Sequence, residues 1–107
     1  MDSDPDLPIP KFSVGQIIRH RRYGYRGVIF GFDPVCTAPE DWYQKNQTQP
    51  DRNQPWYRVM VHGHGHTTYV AQSNLRTDES SEPIVHPWLD KFFTRRIGGR
   101  YVRESQN

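Results

Sequence analysis

Four arginines, Arg19, Arg21, Arg22 and Arg26, crowd one glycine turn in the stretch IIRHRRYGYRGVIFGFDP, residues 17–34. A guanidinium is a planar fork of donors that matches phosphate oxygens or the edge of a guanine. Tyr23 and Tyr25 interleave with these arginines, and such rings can pack on sugars or stack on an exposed base. Gly24 and Gly27 carry no Cβ and allow a backbone to approach a duplex closely. The chemistry is that of an anionic-polymer site, with Arg19, Arg21, Arg22, Tyr25 and Arg26 as the contacting set. Neutralising four phosphates would give a log–log salt slope of about −3.6, at about −0.9 per phosphate. The competing reading is a solvated hairpin, with Arg21 and Arg22 as plain turn residues and Tyr25 and Val28 in the core.

Other residue sets offer other chemistries. His62, His64 and His66 follow an i, i+2, i+4 pattern that would put three imidazoles on one strand face, as zinc requires. Gly63 and Gly65 place them at a hairpin tip instead, with no Cys, Asp or Glu nearby to complete a ligand set. They read as polar tip residues, and no metal or cofactor is expected. Trp42, Tyr43, Trp56, Tyr57 and Tyr69 are rings enough to cage a methylated lysine or arginine, against the ordinary use of such rings as core. Trp42 and Tyr43, in a long polar segment, are the candidates for a protein contact. Cys36 is the single cysteine, so no internal disulfide can form. With no paired carboxylates, phosphate loop or Ser/His/Asp pattern, the chain is not expected to be an enzyme.

Composition sets the scale of what can hold these groups. The chain has 107 residues, which suits one domain, and its 34% hydrophobic and 13% aromatic content suits a small core rich in rings. Net charge is only +2, yet its distribution is uneven. Asp2, Asp4 and Asp6 occupy residues 1–10; bases alone occupy 11–32 and again 91–103, where Lys91, Arg95, Arg96, Arg100 and Arg103 lie. Two basic segments in a near-neutral chain favour a local anionic partner over general stickiness. No apolar run nears the roughly 20 residues of a membrane span, and the acidic, proline-rich N-terminus is the opposite of a signal peptide. Cytoplasmic localisation and no membrane contact are expected.

Periodicity then supplies the elements. Residues 1–10 read as a flexible lead and 104–107 as a tail. Residues 16–20 and 27–32 read as strands flanking the turn, with Asp33-Pro34 as a stop. Residues 35–55 read as a long polar loop with one helical turn over 39–45, favoured by Pro39 at its start and Glu40-Asp41 in its first turn. Residues 56–62 alternate, 63–65 form a tip and 67–71 return. Residues 72–75 read as a turn and 76–83 as polar and acidic. A short helix is predicted over 86–93, ended by Gly98-Gly99, with Tyr101-Val102 as a short strand or a trailing end. The fold class expected is mainly β, a small SH3-like β-barrel with a short C-terminal helix.

An ordered series of motifs adds to this. Phe12-Ser13-Val14-Gly15-Gln16, Arg19-His20, Tyr23-Gly24-Tyr25-Arg26-Gly27-Val28-Ile29 and Asp33-Pro34 are followed by Pro55-Trp56-Tyr57-Arg58-Val59, Thr68-Tyr69-Val70-Ala71 and Asn74-Leu75. Together they resemble the YccV/HspQ-like family, also called the hemimethylated DNA-binding domain. The resemblance implies one small β-barrel domain over 11–103 and one of two roles. The first is double-stranded DNA binding through the basic strand-turn-strand, assisted by Arg95, Arg96 and Arg100. The second is an adaptor for ATP-dependent proteolysis or stress response, contacting a protease or its substrates through Trp42, Tyr43 and the C-terminal segment. His86-Pro87 followed by Phe92-Phe93 resembles versions fused to F-box proteins, while the initial methionine suggests a stand-alone bacterial version.

Overall fold

The arginine-bearing stretch folds as two antiparallel strands, β1 (Ile17–His20) and β2 (Arg26–Asp33), joined by the turn at 21–25. The structure is a computed structural model, and it describes residues 9–80 and 82–103. The expected lead over 1–8 and tail over 104–107 lie outside the described residues. Strands β3 (Trp56–Val61), β4 (Thr67–Ala71) and β5 (Leu75–Thr77) complete a five-stranded antiparallel sheet in the order β4-β3-β2-β1-β5. A 3-10 turn over Gln72–Asn74 carries the chain from one edge strand to the other. The architecture is mainly β, with seven short strands and two short helices among the described residues.

Alternation along each strand explains how both faces of this sheet are buried. One face gathers Ile18, Ile29, Tyr57, Val59, Val70 and Leu75, with Phe12 and Tyr25 packed against them. The other face is covered in two halves. Ile17, Val28 and Met60 lie under Ile84, Phe93 and Tyr101 from the C-terminal segment. Trp56 and Ala71 lie under Cys36, Ala38 and Tyr43 from the insertion at 34–55. A register shift between Ile29 and Gly31 sends Phe30 to Phe92, ring centroids 5.0 Å apart, and Phe32 to Tyr57 at 5.7 Å.

The insertion contains α1 (Glu40–Lys45), starting directly after Pro39 as its acidic first turn predicts. The C-terminal segment differs from expectation. Its helix, α2, is a single turn over Leu89–Phe92, and Gly98-Gly99 does not end it. Those glycines, with φ of 58° and 80°, form the tight turn of a hairpin between β6 (Arg95–Ile97) and β7 (Arg100–Val102). This hairpin docks through Tyr101, whose N–H donates to Gly15 O at 2.8 Å and whose hydroxyl accepts from Ile84 N at 2.8 Å. A Cβ on Gly15 would collide with the Tyr101 carbonyl, and its φ of 94° also requires glycine. No helix among the described residues is long and apolar enough to cross a membrane.

Candidate nucleic-acid interface and aromatic groove

Register places the arginines. Arg19 on β1 lies opposite Arg26 on β2 and opposite Arg76 on β5, so three guanidinium side chains form a row across three strands. Like charges directly opposite one another are destabilising unless something neutralises them. Asp78 does so for two. Its carboxylate accepts from Arg19 Nε at 3.2 Å and from Arg26 Nε at 2.7 Å, and its side chain is 3% exposed. Arg26 also donates to Glu82 O at 2.7 Å, and Arg19 to Gly24 O at 2.8 Å. Burial by itself would raise the Asp78 carboxyl, but the hydrogen bonds and charge of Arg26 and Arg19 outweigh it and hold the group below its usual range.

The four arginines expected to form one contacting set are therefore not equally presented. Arg26 is turned in, 13% exposed, and Arg19 is 33% exposed, because one buried carboxylate draws both down onto the sheet. Arg21 and Arg22 remain exposed: Arg21 Nε donates to Leu75 O at 3.1 Å, and the Arg22 guanidinium lies 5.7 Å from the Tyr23 ring centre. Arg76 is exposed beside them and was not singled out from the sequence. No local signal marks it, since β5 reaches β1 only through pairing across more than fifty residues. Arg95, Arg96 and Arg100 lie on the separate β6–β7 sheet, exposed, with Arg100 Nη1 donating to Val14 O at 3.5 Å.

A buried histidine shapes the turn that presents Arg21 and Arg22. His20 Nδ1 accepts the N–H groups of Arg22 and Tyr23, each at 3.1 Å, and its ring stacks on Tyr23 at 4.6 Å and leans on Tyr25 at 5.1 Å. Burial, followed by the charge of Arg22, pushes the imidazole below 6.5. Its neutral form is the one the fold uses. The stability it contributes is full above pH 6.5 and is lost as pH falls through that value towards the folded one. Urea unfolding between about pH 7 and about pH 5 should show this slope. His20→Asn keeps an acceptor near the same place, cannot titrate, and should flatten it; an unchanged slope would assign the effect to another group.

On the opposite edge, β4 borders a groove of about 680 Å³. Tyr23, Tyr25 and Asn74 line one side, and Trp42, Pro39 and Thr48 line the other. Tyr23 OH donates to Gln47 Oε1 at 3.0 Å and ties the turn to the insertion. Trp42 packs edge-on against Trp56 at 6.2 Å and Tyr69 at 5.7 Å, while Trp56 and Tyr69 lie 5.3 Å apart. Asp33 anchors this wall, accepting from Tyr69 OH at 2.7 Å, Thr37 Oγ1 at 2.8 Å and Arg58 Nη2 at 2.8 Å. Burial opposes ionisation there, but those three bonds and the Arg58 charge hold the carboxyl below its usual range.

The five rings considered as a cage are thus divided. Trp42, Trp56 and Tyr69 fill each other's edges, and Tyr43 braces the insertion, its hydroxyl donating to Pro50 O at 2.8 Å with Arg52 over its ring. Tyr57 is on the other face of the sheet, because it alternates with Trp56 along β3. Trp42 stays 36% exposed at the lip. His64 and His66 are exposed with rings 5.3 Å apart, while His62 Nδ1 accepts from Val85 N at 2.9 Å. Among the described residues no group of three or more His, Cys, Asp or Glu could hold a metal ion.

Comparison with known proteins bears on this surface. The chain is 33% identical over 98 residues to F-box only protein 21 of Pongo abelii and of Homo sapiens, and 32% identical to that of Mus musculus. Each match covers 89% of this chain and 15% or 16% of the relative, so the chain spans about a sixth of their length. Residues 10–100 match the family described as hemimethylated DNA-binding protein YccV like, and the chain, with its β1–β2 arginine turn and β3–β4 hairpin inside that span, belongs to the YccV-like family.

Proposed function

We propose that the chain is a DNA-binding module, not an enzyme, built on a small SH3-like β-barrel. The Ile18, Tyr57 and Leu75 cluster on one face of the sheet, and the 3-10 turn joining its two edge strands, support such a barrel. The observation that carries the reading is the Arg26–Arg19–Arg76 row, with exposed Arg21 and Arg22 beside it and a single buried carboxylate within it. A surface so built is short of negative charge, and phosphate oxygens supply it. The family description supports the same partner.

Three exposed arginines, Arg21, Arg22 and Arg76, predict a log–log salt slope of about −2.7 on duplex binding. Titration with methylated, hemimethylated and unmethylated duplexes across salt separates charge attraction from recognition of the methyl group. Arg21→Glu with Arg22→Glu and Arg76→Glu should remove measurable duplex binding at moderate salt with the fold retained by circular dichroism. Persistent binding by a folded triple variant would move the interface elsewhere.

A second reading is favoured by one observation, the exposed Trp42 at the lip of an aromatic groove. It is a protein contact, as in an adaptor for proteolysis or stress response, and relatives named as F-box proteins support it. Pull-down of a protease or ligase component by the wild type, lost in Trp42→Ala, is its expected result.

A further inference from the structure

The two edges of the main sheet are managed differently. β5 is three residues long and carries Arg76, both devices that discourage another strand from pairing. β4 is five residues long, TTYVA, without charge or proline. Its hydrogen-bond phase is set by two bonds at its ends: Val61 N donates to His66 O at 3.3 Å, and Gln72 N donates to Pro55 O at 2.9 Å. Pairing continues as Val59 with Thr68 and Tyr57 with Val70, so these residues direct their main-chain groups at β3. Thr67 and Tyr69 must then direct their N–H and C=O groups outward, and among the described residues those groups have no partner.

The groove lies in front of this edge, and every residue of β4 lines it. Its one fully charged lining residue is Arg58, whose guanidinium is already paired with Asp33 at 2.8 Å. We propose that the groove takes an extended peptide segment of a partner protein, added to β4 as a sixth strand. Its main chain bonds to Thr67 and Tyr69, with side chains alternating between the Trp42 wall and the Tyr23–Tyr25 wall. The unpaired ladder groups dictate an extended backbone. The aromatic walls take apolar side chains, and with Arg58 neutralised by Asp33 the groove selects uncharged segments over charged ones. The Tyr23–Gln47 hydrogen bond is exposed, so an occupant displaces it at small cost. This rests on the protein-contact reading and gives it a chemistry; it is independent of the arginine surface.

The test uses a phage-displayed library of linear peptides selected on the full chain, followed by amide-resolved NMR with an enriched peptide. Expected are uncharged sequences with alternating apolar residues, and slowed hydrogen exchange at the Thr67 and Tyr69 amides. N-methylation along the peptide should abolish binding at every second residue only. Thr67→Pro removes one outward donor while leaving the β3–β4 ladder intact, and should weaken the peptide at least tenfold with duplex affinity unchanged. Peptides that depend on Trp42 but show no two-residue N-methyl pattern would overturn strand addition and leave the protein contact standing. No enrichment overturns both, and an oligonucleotide that slows the same amides would assign the groove to nucleic acid.

Discussion

Asp78→Ala is expected to lower the unfolding free energy by about 3–5 kcal/mol, the usual cost of breaking a buried ion pair from one side. It leaves Arg26, 13% exposed, and Arg19 facing each other and Arg76 with no carboxylate between them. Asp78→Asn keeps the shape and some hydrogen bonding and should cost less. The acid limb of stability should change as well. The folded carboxyl is held below its unfolded value near 3.8, so its contribution is present above that pH and disappears as pH falls through the folded value. Both variants lack this limb. If the proposed interface is right, the same substitution strengthens duplex binding, because two more guanidinium groups become available to phosphate. The salt slope should steepen from about −2.7 towards about −4.5. Urea titration and duplex titration of Asp78→Asn, the milder variant, decide the matter. Unchanged stability together with an unchanged slope would remove Asp78 from its central place.

The second large effect is expected from Trp56→Ala. Trp56 is 2% exposed, wedged between the sheet and the insertion, with Trp42, Tyr43 and Tyr69 against its ring and its Nε1–H donating to Asp51 O at 3.3 Å. Removing it opens a cavity where the insertion is fastened, at a cost of about 3–5 kcal/mol. The loss should be local in its dynamics. Hydrogen exchange over residues 36–55 should accelerate sharply, while the β1–β2 and β1–β5 ladders keep their relative order of protection. Uniform acceleration across the sheet would mean that Trp56 supports the whole core rather than pinning the insertion.

Much of the secondary structure was readable from local pattern. Apolar alternation in WYRVMV and TTYVA, the glycine turn between Arg19 and Arg26, and Pro39 before Glu40-Asp41 act over a few residues, so their signals survive in a linear reading. The 67–71 strand and the 40–45 helix fall where those signals place them, within a residue or two. Gly98-Gly99 misled, because paired glycines serve a hairpin turn as well as a helix end, and the choice between them depends on whether the flanking residues find each other. Strand β5 was invisible for a related reason. LRT has no alternation long enough to register, and it becomes a strand because β1 offers it an edge.

The candidate surfaces divide along the same line. Residue order alone revealed a cluster of arginines and tyrosines at one turn, a ring-rich insertion, and membership of a small β family. Charge type and spacing are properties of the chain, and they persist whatever it packs against. Which guanidinium groups face solvent was decided in three dimensions, because Asp78, just after β5, reaches Arg19 and Arg26, and Arg76 joins their row by the β1–β5 pairing. The groove beside β4 is likewise a product of packing. It needs Trp56 and Tyr69 to hold the insertion at one wall while His20 holds the turn at the other; the His20 bond is local, but the ring contacts of the first wall join separate elements and leave no trace in local sequence.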